Sequence, residues 1–146
     1  MIIDDIKQHL QRQALSVVET KKGQIIIIVM PSDVANAVEY LFNEKKLRFM
    51  TVTGIDVRSY FELTYHFSDD TPGTIISLRT RLSDKNSPKI ASISSIIKGA
   101  NWIEREIHEM LGIVFEGHPN LKHLLLSEDW PAGNYPLRQN RQPDGK

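Results

Sequence analysis

The chain has 146 residues, enough for one domain around a single core, and its 40% hydrophobic and 25% charged residues exclude disorder of the whole. Eighteen basic against 18 acidic side chains leave none of the basic excess that a phosphate-binding surface needs, and argue against nucleic acid as a partner. The lack of cysteine excludes a disulfide framework, a cysteine nucleophile, thiolate-held iron–sulfur clusters and cysteine-based zinc sites, so any redox role is indirect or uses a bound organic cofactor.

Ile3, Ile6, Leu10 and Ala14 recur at helical spacing, with Asp4 and Asp5 where the helix dipole favours them, and predict a first helix. Leu15 to Thr20 reads as a strand, Lys21-Lys22-Gly23 as a turn, and the short β-branched run Ile25 to Met30 as a buried strand. That run is far too short to span a bilayer, and Met1 to Asp5 lacks the basic start of a signal peptide, so the expected location is cytoplasmic. Pro31-Ser32-Asp33 begins a second helix with Ser32 as candidate N-cap and Val34, Val38, Leu41 and Phe42 as its apolar face. Leu47 to Ile55, Tyr60 to Phe67 and Thr74 to Leu82 are strands, the last two a hairpin across Asp69-Asp70-Thr71-Pro72-Gly73. Ile90 to Ile97 is apolar at intervals without a clear period. Asn101 to Leu111 is a helix, and beyond Gly112 only His123 to Leu126 looks like a further strand. From Ser127 the prolines and glycines break regular structure.

These elements predict an α+β fold: a mostly antiparallel sheet with helices packed on one face, an α+β core over residues 1–126 and an extended partner-docking tail over 127–146. Near-zero net charge gives little self-repulsion, which suits a chain that lives inside an assembly.

The helix from Asn101 carries the most information. Asn101 with Glu104 fits a capping box, and Gly112 fits a left-handed C-cap. On a helical wheel Ile103, Ile107, Met110 and Leu111 form the core face, Trp102, Glu106 and Glu109 a strip beside it, and Arg105 pairs with Glu109. Glu106, between Trp102 and Met110, is partly shielded and needs a partner from elsewhere in the chain or from another protein. The simplest reading of Glu104, Arg105 and Glu109 in an isolated helix is a solvated face with weak ion pairs. Trp130, in a segment without local structure to pack on, calls for docking on this domain or a partner.

Further motifs run through this region: Glu104-Arg105-Glu106, then Glu109-Met110-Leu111, Phe115-x-Gly117-His118-Pro119-Asn120-Leu121-Lys122, Glu128-Asp129-Trp130 and Pro136-Leu137-Arg138. Together they resemble the signature of the thirty-kilodalton subunit family of respiratory complex I, the C subunit of bacterial NADH–quinone oxidoreductase, which has relatives in energy-converting membrane-bound nickel–iron hydrogenases. The resemblance is close from Asn101 to Arg138; earlier residues agree in order of elements. It implies an α+β domain with an extended tail and no prosthetic group. It also implies docking, peripheral to the membrane, beside an iron–sulfur subunit and the large subunit that forms the quinone site or carries nickel–iron. Its motif positions Glu104, Arg105, Glu106, His118 and Arg138 would organise that junction. With Trp102, Glu109, Trp130, Pro136 and Leu137 they make the expected partner-binding set, with no catalytic, cofactor or metal site. Glu109, Leu111 and Asn120 stand where the family often has Asp, Phe and Asp, and Gln139-Asn140 where respiratory members commonly have Lys-Asp. The departures leave open whether the complex is a NADH dehydrogenase or a hydrogenase.

Other chemistries fit less well. His108-Glu109 opens like a zincin motif, but Gly112 stands where the second histidine belongs. A metal-dependent enzyme using His108, His118, His123 and Glu104 requires a convergence that the turn after Gly112 does not specify. Glu106 with Glu109 as an acid–base pair has no pocket to support it. An RNA-binding sheet would show aromatics beside basic residues, whereas Tyr60, Phe61, Tyr65 and Phe67 neighbour Glu62, Asp69 and Asp70.

Overall fold

The computed structural model describes residues 2–11, 14–20, 23–70, 73–121 and 135–138, and among these it holds three α-helices and seven strands. They are α1 (Ile2–Leu10), β1 (Ala14–Glu19), β2 (Gln24–Val29), α2 (Val34–Glu39), β3 (Arg48–Asp56), β4 (Phe61–Asp69), β5 (Thr74–Leu82), β6 (Lys89–Ala91), α3 (Ala100–Leu111) and β7 (Val114–Glu116). Five strands form one sheet in the order β1-β2-β5-β4-β3. All of its pairings are antiparallel except β2 with β5, where Ile25 lies opposite Ile76. The α+β prediction therefore holds.

Period-two alternation builds the core. Ile25, Ile27 and Val29 on β2, Ile76 and Leu78 on β5, and Phe61, Leu63, Tyr65 and Phe67 on β4 are all buried. Alternation puts each strand's set on one face, and α1 (Ile6, Leu10), α2 (Val34, Ala37, Val38) and α3 (Ile107, Leu111) join the same apolar cluster. At about 25 cal/mol per Å² of apolar surface removed from water, such a cluster supplies the main folding force. The opposite face is polar in its middle: His66 bonds Thr53 Oγ1 through Nε2 at 2.9 Å and Ser77 Oγ through Nδ1 at 3.1 Å, and Arg79 lies 3.6 Å from Glu62.

Three local expectations change. The first helix stops at Leu10, and Ala14 opens β1 instead of extending the helical stripe. Ser32 is not a cap: Pro31, with its fixed φ, starts a 3-10 turn through Asp33, and no side chain caps α2. After Glu39 that helix widens into a π turn, Tyr40–Glu44, closed by Lys45 N–H donating to Tyr40 O at 3.0 Å. Tyr40 is buried there and stacks on His9 at 3.7 Å, tying α1 to α2.

The region after Gly112 is more regular than its sequence suggests. β6 and β7 pair in parallel, with Ile90 opposite Phe115, and α3 is the crossover between them. Three-residue strands are too short to show a period, which is why neither was recognised. The expected strand His123 to Leu126 lies outside the described residues. No helix among the described residues is long and apolar enough to cross a membrane.

Candidate docking surface

Helix α3 lies against β3, and Gly54 lets it come close. A Cβ at Gly54 would stand 3.1 Å from Leu111 Cδ1 and 3.2 Å from Ile107 Cγ2. A side chain there would crowd both, and Leu111 and Ile107 would have to yield. Ile107 and Leu111 face the strand at this contact. The helix's core-facing stripe is Ala100, Glu104, Ile107 and Leu111, so of the expected Ile103, Ile107, Met110 and Leu111 the second and fourth are buried as expected. Ile103 and Met110 are left half-buried at the side.

The rotation carries Glu104 into the core, where its exposure is 0%. The solvated-face reading of this residue is overturned, and so is its capping-box role, because α3 begins at Ala100 with no side-chain cap. Glu104 accepts instead from the Ser92 hydroxyl at 2.6 Å and from Ile93 N–H at 3.2 Å, fastening the loop after β6 to α3. Burial pushes its carboxyl above the ordinary value, against the opposing hydrogen bonds from Ser92 and Ile93. The buried Tyr65 phenol is pushed up as well, by its own burial and then by the Glu104 charge. His118 is set by a different pair of bonds. Asn120 N–H donates to its Nδ1 at 2.9 Å, so Nε2 carries the hydrogen donated to Asn101 O at 3.1 Å. The ring clamps the turn after β7 onto the first turn of α3.

At the other end of the helix, Gly112 is left-handed at φ 79, as its sequence position implies. Residues of the C-terminal arm complete the cap. Leu137 N–H donates to Met110 O at 3.0 Å, and Arg138 Nε donates to Leu111 O at 2.6 Å. These satisfy carbonyls that a helix end leaves without partners, and place a cation at the negative end of the dipole. The Arg138 guanidinium also lies 4.6 Å from the Tyr135 ring and 5.1 Å from the Phe61 ring. A Cβ on Gly112 would sit 2.5 Å from Tyr135, so the arm fits only over glycine.

The expected strip of Trp102, Glu106 and Glu109 is divided by this arrangement. Glu109 is only 3% exposed, so its reading as a solvated residue is also overturned: on the side of α3 away from the core stripe it is covered by this chain's own residues. Trp102 is 62% exposed and carries Arg105 5.3 Å from its ring. Glu106 is half-buried and lines a groove of about 190 Å³ between α3 and β3, with Val52, Gly54, Ile103 and Met110. Leu137, 59% exposed, forms its lip, and Pro136 is half-buried. A wider, more polar hollow lies at the start of α3, between Ser94, Lys98, Trp102 and Pro119. Trp130 lies outside the described residues, as does His123. Among the described residues no group of three or more His, Cys, Asp or Glu side chains is placed to hold a metal ion. Ser92 and the Gly54 approach were not singled out from sequence, although a glycine inside a strand is a known sign of close backbone contact.

The family of the respiratory-chain NADH dehydrogenase 30-kilodalton subunit matches residues 27–146. The chain belongs to this family. Its curated relatives include the NADH-quinone oxidoreductase C subunit from Ruegeria pomeroyi, 33% identical over 124 residues that cover 81% of this chain and 60% of the relative. Another is the C subunit of the same enzyme from Roseiflexus sp., 32% identical over 125 residues, 82% of this chain and 70% of the relative. The C/D subunit of the Bacteroides thetaiotaomicron enzyme is 33% identical over 133 residues, but this chain spans only 25% of its length. Among solved structures, a chain of the membrane-bound sulfane sulfur reductase, an archaeal respiratory membrane complex, shares the fold at TM-score 0.85 and 20% identity, over 97% of this chain and 84% of that one. A trypsin-resistant fragment of Nqo5 aligns at TM-score 0.67 and 18% identity, over 82% of this chain and 96% of the fragment. Family membership agrees with the resemblance carried by the motifs from Asn101 to Arg138, and the match begins far upstream of them.

Proposed function

We propose that this chain is a non-catalytic structural subunit of an NADH–quinone oxidoreductase-type complex. In this reading it holds a large quinone-site subunit and an iron–sulfur subunit in register, on the cytoplasmic side and peripheral to the membrane. Electron transfer and quinone chemistry proceed in those partners. The observation that carries the reading is the outer side of α3. There Trp102 and half-buried Glu106 on the helix, and Leu137 on the arm that caps it, face outward, and Glu104, His118 and Arg138 hold the helix, the loop and the arm together from beneath. Large exposed apolar side chains beside a shielded carboxylate suit burial under another polypeptide. Trp102, Arg105, Glu106, Pro136 and Leu137 would touch the partner. Glu104, Glu109, His118 and Arg138 would act through them, by holding the surface in shape. Trp130 is kept as a further partner contact on the strength of its sequence context.

Affinity purification of the tagged chain from its native host tests this. The expected result is co-purification of a large quinone-site subunit and an iron–sulfur subunit. A nickel-binding large subunit in their place would assign the chain to a hydrogenase-type complex. Recovery as a monomer with hydrolytic activity would overturn the proposal.

A further inference from the structure

Resting on that assembly reading, we infer that the groove between β3 and α3 receives an extended, apolar segment of a partner polypeptide that carries a lysine or arginine to pair with Glu106. Three observations lead here. The groove, at about 190 Å³, is smaller than the roughly 300 Å³ at which small-molecule pockets begin, so it suits one or two inserted side chains rather than a metabolite. One of its walls is β3, the last strand of the five-stranded sheet, whose outer side pairs with no other strand among the described residues. An open strand edge offers a row of backbone donors and acceptors to an extended chain.

The third observation is Glu106 itself. It is half-buried in an otherwise largely apolar groove, and it has no hydrogen bond or ion pair among the described residues. A partner that covered it without supplying a donor would strand a carboxylate away from water. The occupant must therefore bring a cation to that point, with apolar side chains for Ile103, Met110 and Leu137. A second copy of this chain is disfavoured, because a two-fold contact would set the same acidic groove against itself.

The test uses the full chain assembled in its native complex, with a photo-crosslinking benzoyl-phenylalanine at Met110 and a control at Val18 on β1. The Met110 probe is expected to mark a different polypeptide, in a stretch that contains a basic residue. Adducts confined to this chain, to a second copy, or to a stretch without Lys or Arg would overturn the inference. In parallel, Glu106→Lys is expected to lower recovery of the complex by about tenfold or more, since it sets like charges against each other across a buried contact. Glu106→Gln is expected to lower it less, and reversing the charge of the crosslinked basic residue should restore Glu106→Lys. Unchanged recovery with Glu106→Lys would also overturn it, and a thermal melt of each purified variant separates a docking loss from a folding loss. If the unmodified chain co-purifies with oxidoreductase subunits while Met110 marks nothing, the groove inference fails alone. If it co-purifies with none, the assembly reading fails.

Discussion

Glu104 and Glu106 lie two positions apart on one helix, and the fold treats them in opposite ways. Glu104 faces the core, where a hydroxyl and a backbone amide of the chain complete its hydrogen bonding. Glu106 faces the groove, half-buried and without such partners among the described residues. A buried carboxylate satisfied from within holds a structure together; one that is shielded yet unsatisfied makes a demand on whatever covers it. The same contrast separates the two ends of α3. Its C-terminal end is capped and covered by the arm, and Glu109 is buried, whereas its N-terminal end leaves Trp102 in solvent.

The sharpest way to break the contrast is Glu104→Ala. Removing the acceptor leaves the Ile93 N–H buried without it, strips half-buried Ser92 of its carboxylate partner and opens a cavity, and the unfolding free energy measured in urea should fall by about 3 kcal/mol. Next is Gly112→Val, which meets both a left-handed backbone and the Tyr135 ring. A loss of about 2 kcal/mol is expected, with release of the arm seen as faster proteolysis near residue 138. Arg138→Ala should cost about 1–2 kcal/mol through the lost carbonyl bond, and Arg138→Lys should recover only part of that, as one point charge replaces a planar fork.

A smaller effect comes from pH. The folded pKa of Glu104 is raised above the usual 4.5, so in the window between the two values the native state holds a proton that the unfolded chain has released. Its contribution to stability is full below that window and declines as pH rises through it. The stability of the wild type relative to Glu104→Gln should therefore fall with rising pH from about 4.5, read from urea midpoints across the range. The smallest effect is predicted on the outer side. Trp102→Ala and Glu106→Gln should each leave the unfolding free energy within about 0.5 kcal/mol while reducing assembly. Destabilisation as large as that of Glu104→Ala would erase the distinction drawn between the two carboxylates.

Much of the architecture is legible in the residues. The Ile25–Met30 run, the strands read at Tyr60–Phe67 and Thr74–Leu82, and the left-handed stop at Gly112 are local signals, and each names its element within two residues of where it forms. The motif positions from Glu104 to Arg138 point to the family for the same reason: residue identity and spacing are properties of the chain itself.

What local reasoning misplaced is the direction in which α3 points its side chains. An amphipathic wheel assigns the apolar residues inward and the charged ones outward, and so turns Ile103 and Met110 to the core and Glu104 to water. In the fold α3 is turned far enough to bring Glu104 inward beside Ile107 and Leu111, where donors from Ser92 and Ile93, distant in the chain, meet its carboxylate. The sequence by itself determined the longer elements, their order and the family, because those follow from propensity, periodicity and motif. The tertiary structure alone decided which carboxylate is satisfied and which lacks a partner among the described residues, because hydrogen-bond satisfaction depends on groups that meet in space rather than along the chain.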